Sequence, residues 1–138
     1  MLFRSYSDEA AQALVQNPSH FDVLVMENFL GDLLSDLGGG TVGGIGMCPS
    51  GNIGATSAVF EPIHGSAPSL GGLNRANPVA QVLSFAMMLT HLGETDAAAA
   101  VERGVGAALA DGSITIGPDG CPAAGTRAAT QAVIDRIR

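Results

Sequence analysis

Phe21-Asp22-Val23-Leu24-Val25-Met26-Glu27-Asn28-Phe29-Leu30-Gly31-Asp32-Leu33-Leu34-Ser35-Asp36 changes its hydrophobic period part-way along. Residues 22–26 form a short apolar run with β-branched members, bounded by Pro18 and Asn28. That is the pattern of a buried strand in a parallel sheet. From Asn28 onward Phe29, Leu30, Leu33, Leu34 and Leu37 fall on one face of a helix over 28–37. A strand handing directly to a helix predicts an α/β architecture.

The flanks extend that reading. Upstream, Ala11, Leu14 and Val15 sit at helical spacing over 8–16, and Asn17-Pro18 ends the helix. Downstream, Gly38-Gly39-Gly40 is expected to stop the second helix, and 41–56 reads as glycine-punctuated loop. Ser57 to Phe60 is a second strand candidate. Asn77-Pro78 reads as the cap and first residue of a helix running to about Leu92, which Gly93 stops. Thr95 is expected to cap a further helix over 96–110. A short extended piece fits Ser113 to Ile116, and a last helix fits Thr126 to Ile137. The expectation is a single α/β unit over 1–138, with short parallel or mixed strands flanked by helices.

Composition narrows the function classes. Charged residues are 14% and hydrophobic residues 46%, so the chain has the makings of an aliphatic core rather than a disordered tail. The net charge is −7 with no run of basic residues, which argues against nucleic acid as a partner. No apolar stretch approaches the ~18 residues of a membrane span, and no apolar segment with a cleavage site opens the chain. Cys48 and Cys121 fit no metal spacing and suit a reducing, cytoplasmic setting.

Two segments could carry chemistry. Asp32 and Asp36 stand four apart, so their carboxylates leave one face of a helix, where a hard cation such as Mg2+ or Mn2+ would relieve their repulsion. A solvated acidic helix face explains the same spacing. Glu61-Pro62-Ile63-His64-Gly65-Ser66-Ala67-Pro68 places a histidine beside a Gly-Ser turn, and Gly71, Gly72, Asn74, Arg75 and Asn77 continue a polar loop. Such a loop suits a phosphate or nucleotide, and it equally suits a turn with no ligand. No G-x-G-x-x-G follows a strand, so a dinucleotide would bind by another mode.

Several motifs in one order resemble a single family, the isocitrate, isopropylmalate and homoisocitrate dehydrogenases. They are Phe21-Asp22-Val23 with Glu27-Asn28, then Gly31 to Asp36, Pro49 to Gly54, Phe60 to Pro68, and Ala76-Asn77-Pro78 followed by Leu83 to Leu89. Ser50 to Gly54 is more similar to the homoisocitrate and isocitrate branches. The resemblance implies an isopropylmalate dehydrogenase-like fold and an NAD- and metal-dependent oxidative decarboxylation of a 2-hydroxy-3-carboxy acid of homoisocitrate, isocitrate or 3-isopropylmalate type. It implies Asp32 and Asp36 as metal ligands, and Asp8 as a third that reaches the metal site of the partner in a homodimer. His64 and Asn77 match adenine contacts, with Gly65 and Ser66 beside them. Ser69 stands where NAD-using members carry an aspartate and some NADP-using members a lysine. NAD is the expected cofactor, and Arg75 leaves NADP open.

The resemblance also implies what this chain lacks. Family members begin with a segment carrying the arginines for substrate carboxylates and a catalytic tyrosine and lysine. No match to them is found here: Tyr6 lies in another segment, and the chain has no lysine. The expectation is the C-terminal part of such an enzyme, inactive alone and active with a complementing N-terminal segment. The alternative is a non-catalytic dinucleotide-binding or dimerisation module that pairs with a full-length paralogue.

Overall fold

In the computed structural model, which describes residues 5–137, contacts separate two units, Met1–Gly44 and Ile45–Arg138. The first is helical. Helix α1, Ser7–Gln16, carries Asp8 and Glu9 in its first turn, where carboxylates favour the positive end of the helix. Asn17-Pro18 ends it and a 3₁₀ turn, Pro18–His20, follows. Helix α2, Asn28–Thr41, packs against α1. Glu27 caps α2, its carboxylate accepting the amides of Phe29 at 3.0 Å and Leu30 at 2.9 Å.

Two expectations fail in this unit. Residues 21–26 form no strand, and Val23 and Val25 are 78% and 90% exposed. A strand exists only where a neighbour supplies its ladder, and among the described residues none does so for this run. Second, α2 runs through Gly38-Gly39-Gly40 to Thr41. Gly39 is buried, and a Cβ on Gly38 would lie 3.6 Å from Leu14 of α1. Tertiary packing here overrides the poor helix propensity of glycine. The chain turns at Gly43 and Gly44, with φ of 109° and 99°, where only glycine is unstrained.

The second unit holds the sheet. Strands β1, Pro49–Ile53, and β2, Ala58–Pro62, pair antiparallel, with Gly51 opposite Phe60. The α/β class stands, but the sheet is an antiparallel hairpin where parallel or mixed strands were expected, and β1 lies where irregular loop was expected. Its glycine has a packing reason: a Cβ on Gly51 would meet the Phe60 ring at 3.1 Å and Met87 at 3.4 Å. Helix α3, Val79–His91, packs against both strands and against α4, Thr95–Ala110. Thr95 lies inside α4 and forms no side-chain cap. Helix α5, Thr126–Ile134, packs on α4 and is shorter than expected.

Val79, Val105, Ala108, Ile114, Ala129 and Val133 form the core of this unit. Its small members let the helices approach closely. A Cβ on Gly104 of α4 would stand 3.1 Å from Ile137 and 3.2 Å from the carbonyl of Val133. Between α4 and α5, Ile114 is buried and Ile116 makes a single bridge to Pro122, in place of a longer extended piece. Among the described residues no helix is long and apolar enough to cross a membrane.

Candidate functional site: a cleft between the glycine loop and the start of α5

Beyond β2 the chain enters a loop from Ile63 to Asn77. The Nδ1 atom of His64 lies 2.9 Å from the carbonyl of Gly65. Ala67 takes the left-handed conformation, with φ 41° and ψ 61°, and opens a 3₁₀ turn over Pro68–Leu70. Such a residue costs about 1–2 kcal/mol and persists where its surroundings hold it. Asn74 is also left-handed, with φ 57°, which asparagine tolerates better.

Asn74 joins this loop to α5. Its carbonyl accepts the Thr126 amide at 3.0 Å, and its Oδ1 accepts the Arg127 amide at 2.9 Å. The Thr126 hydroxyl donates to the carbonyl of Ala76 at 2.6 Å. Between the loop and the start of α5 opens a cleft of about 350 Å³, lined by residues from His64 to Ala76 together with Thr126 and Arg127. A Cβ on Gly65 or Gly72 would meet no protein atom within 4 Å, so the backbone there is open to a ligand.

Across the loop Arg75 donates to Asp119 at 2.8 Å. Asp119 also accepts the Cys121 amide at 3.1 Å. The Cys121 amide first, and the Arg75 guanidinium second, hold this carboxyl below its usual range.

His64, Gly65 and Ser66 line the cleft; Ser69 and Asn77 do not. Ser69 is exposed in the 3₁₀ turn. Asn77 is half-buried, its Oδ1 accepting the Val79 amide at 3.1 Å and its Nδ2 lying 3.5 Å from the sulfur of Met47. Pro78, not Asn77, holds the cap position of α3 and makes no side-chain cap bond; Asn77 stands one residue earlier than the sequence suggested, its side-chain amide turned to structural work. Thr126 and Arg127 were not foreseen, and Asn74 was read as part of the polar loop without its link to α5. Asn74 is paired in space with residues more than fifty positions away, and no local pattern announces that.

The predicted metal ligands lie in the first unit. Asp32 and Asp36 are exposed on α2, and Asn28 donates to Asp32 at 3.2 Å. Asp8 is exposed on α1 and accepts the Glu9 amide at 3.0 Å. Among the described residues no three His, Cys, Asp or Glu side chains gather as a metal site. The two α2 carboxylates fit a hard cation by donor type, and they leave most of its coordination to water, substrate or another chain.

The family model for isocitrate/isopropylmalate dehydrogenases matches residues 2–137. The chain belongs to this family. The isocitrate/homoisocitrate dehydrogenase of Thermus thermophilus is 53% identical over 131 residues, which are 95% of this chain and 39% of that protein. The human mitochondrial isocitrate dehydrogenase [NAD] subunit alpha is 52% identical over 108 residues, 78% of this chain and 30% of that one. A crystal structure of isocitrate dehydrogenase from Methylococcus capsulatus superposes with a TM-score of 0.86 at 42% identity, over 96% of this chain and 39% of that one. The chain thus spans about two fifths of the isocitrate/homoisocitrate relative it matches.

Proposed function

We propose that this chain contributes the cofactor cleft and two metal-binding carboxylates to an oxidative decarboxylase of a 2-hydroxy-3-carboxy acid, of homoisocitrate, isocitrate or 3-isopropylmalate type. The observation that carries the proposal is the cleft itself. A glycine-rich loop and a helix start are bonded together around an open cleft in a chain of this family. When bound, NAD supplies the hydride acceptor and a divalent ion, Mg2+ or Mn2+, the Lewis acid for loss of CO2.

The roles of the chain's own residues follow from their positions. His64, Gly65 and Ser66 border the nucleotide, the backbone glycine allowing close approach. Ser69 and Asn77 serve the cofactor from outside the cleft wall, Asn77 by fixing the start of α3 behind the loop. Asp32 and Asp36 hold the metal, and Asp8 completes the site of a second subunit in a homodimer. Substrate-binding arginines and the acid–base pair of tyrosine and lysine come from a complementing N-terminal segment, since this chain has no lysine to offer.

Isothermal titration of the folded chain with NAD tests the cofactor part. Saturable binding that weakens in His64→Ala supports it, and a folded chain that binds no dinucleotide sinks it. For the metal, the electron paramagnetic resonance signal of Mn2+ should report binding that Asp32→Asn with Asp36→Asn abolishes. Turnover that appears only when the N-terminal segment of a relative is added would separate the enzyme reading from a non-catalytic dinucleotide-binding or dimerisation module.

A further inference from the structure

The charge of the cleft is opposite to that of the chain. The chain carries thirteen carboxylates against six basic residues, yet two arginines, Arg75 and Arg127, and no Asp or Glu line the cleft. The two are not equivalent. Arg75 is paired with Asp119 at 2.8 Å. Arg127 has no ion pair among the described residues, and its one hydrogen bond to another part of the chain uses its backbone amide.

That backbone bond fixes where the side chain starts. The amides of Thr126 and Arg127 are both taken by Asn74, at 3.0 and 2.9 Å. These two amides of α5 therefore have no capacity left for an anion. Of the two cationic residues that line the cleft, Arg127 is the exposed one without an ion pair. A planar guanidinium offers the oxygens of a phosphate two parallel donors, and no carboxylate in the lining competes for it.

We infer that Arg127 recognises a phosphate group of the dinucleotide. The inference rests on the cleft being the cofactor site, as proposed above. The same chemistry has two sources: the pyrophosphate that NAD and NADP share, or the ribose phosphate monoester that NADP alone carries.

The test is calorimetric titration of the full chain with NAD and, separately, NADP, at one ionic strength, using wild type, Arg127→Gln and Arg127→Lys, each checked for folding by circular dichroism. Loss of one charge-assisted pair should weaken binding about tenfold in Arg127→Gln. Arg127→Lys should recover only part of it, because an ammonium lacks the fork. Equal loss for both dinucleotides assigns Arg127 to the pyrophosphate. Loss confined to NADP assigns it to the monoester. Unchanged affinities in Arg127→Gln, with wild type binding, overturn the inference and leave the cofactor cleft standing. A folded wild type that binds neither dinucleotide overturns both.

Discussion

Gly125 has φ 84°, and a Cβ built on it would lie 2.6 Å from both the Nδ2 and the carbonyl oxygen of Asn74. The first condition strains any side chain there, and the second forbids it unless Asn74 moves. Gly125→Ala should therefore cost more than the ~1 kcal/mol of an ordinary helix-end change, and it should separate the glycine loop from α5. Thermal unfolding would show a lower midpoint, and dinucleotide binding would fall with it; an unchanged midpoint would mean the loop and helix dock by other means. A second residue effect is electrostatic. The Ser113 hydroxyl and amide, and then the Arg136 guanidinium, lower the Asp111 carboxyl from 3.8 to about 2. Arg136 reaches it with two donors, at 2.8 and 2.6 Å. A folded-state value below the unfolded one stabilises above the unfolded pKa, and the gain is lost as pH falls through the folded one. The stability gap between wild type and Asp111→Asn in urea should thus be full above about pH 5, shrink below about pH 4 and close near pH 2. A gap that persists at the acid end would assign the effect to shape rather than charge.

Among the elements, the legible ones carry their signals in contiguous sequence. Helix α3 follows Asn77-Pro78 and ends before Gly93, and α1 stops at Asn17-Pro18, as the residues indicated. Two elements were misread because a distant partner decides them. Residues 21–26 have strand chemistry and no ladder. Conversely, Pro49 to Ile53 looks like a loop, yet its glycine accommodates the Phe60 ring of the facing strand. Helix α2 is the sharpest case, since three successive glycines continue it. Gly40 tests this directly. It is exposed and helical, and a Cβ there would meet nothing within 4 Å. Gly40→Ala should then raise stability by about 0.5–1 kcal/mol through the smaller entropy loss of alanine. Denaturant midpoints and helical circular dichroism should both increase. If α2 ended at Leu37, as its glycines suggest in isolation, the substitution would be neutral or harmful.

At the scale of the whole molecule, family membership was legible because several motifs stand in one order, and so was the loop side of the cleft, while its far wall was not. The arginine that completes it arrives from the start of α5, brought there by Asn74 and Gly125. What the chain leaves uncovered bears on its partners. Val23, Val25, Phe29 and Leu33 are 78%, 90%, 67% and 54% exposed in the first unit. Leu14, Leu24 and Leu34 there border an apolar hollow of about 520 Å³. Burying a large apolar side chain gains roughly 1.5–3 kcal/mol. Four such residues, counted on both sides of a two-fold contact, gain roughly 12–24 kcal/mol at full burial. Association costs about 4–15 kcal/mol in lost freedom, and further ordering and desolvation reduce the surplus. The gain exceeds the cost over most of these ranges, so self-association that depends on concentration is the expected outcome. Sedimentation velocity of the isolated chain should show a monomer that gives way to dimer as concentration rises, and Phe29→Glu with Leu33→Glu should hold it monomeric. If the complementing N-terminal segment covers the same residues, adding it to the wild type should suppress dimer formation at this face. Dimer that survives in the double variant would place the contact elsewhere, and would remove α2 from the interface that Asp8 is proposed to bridge.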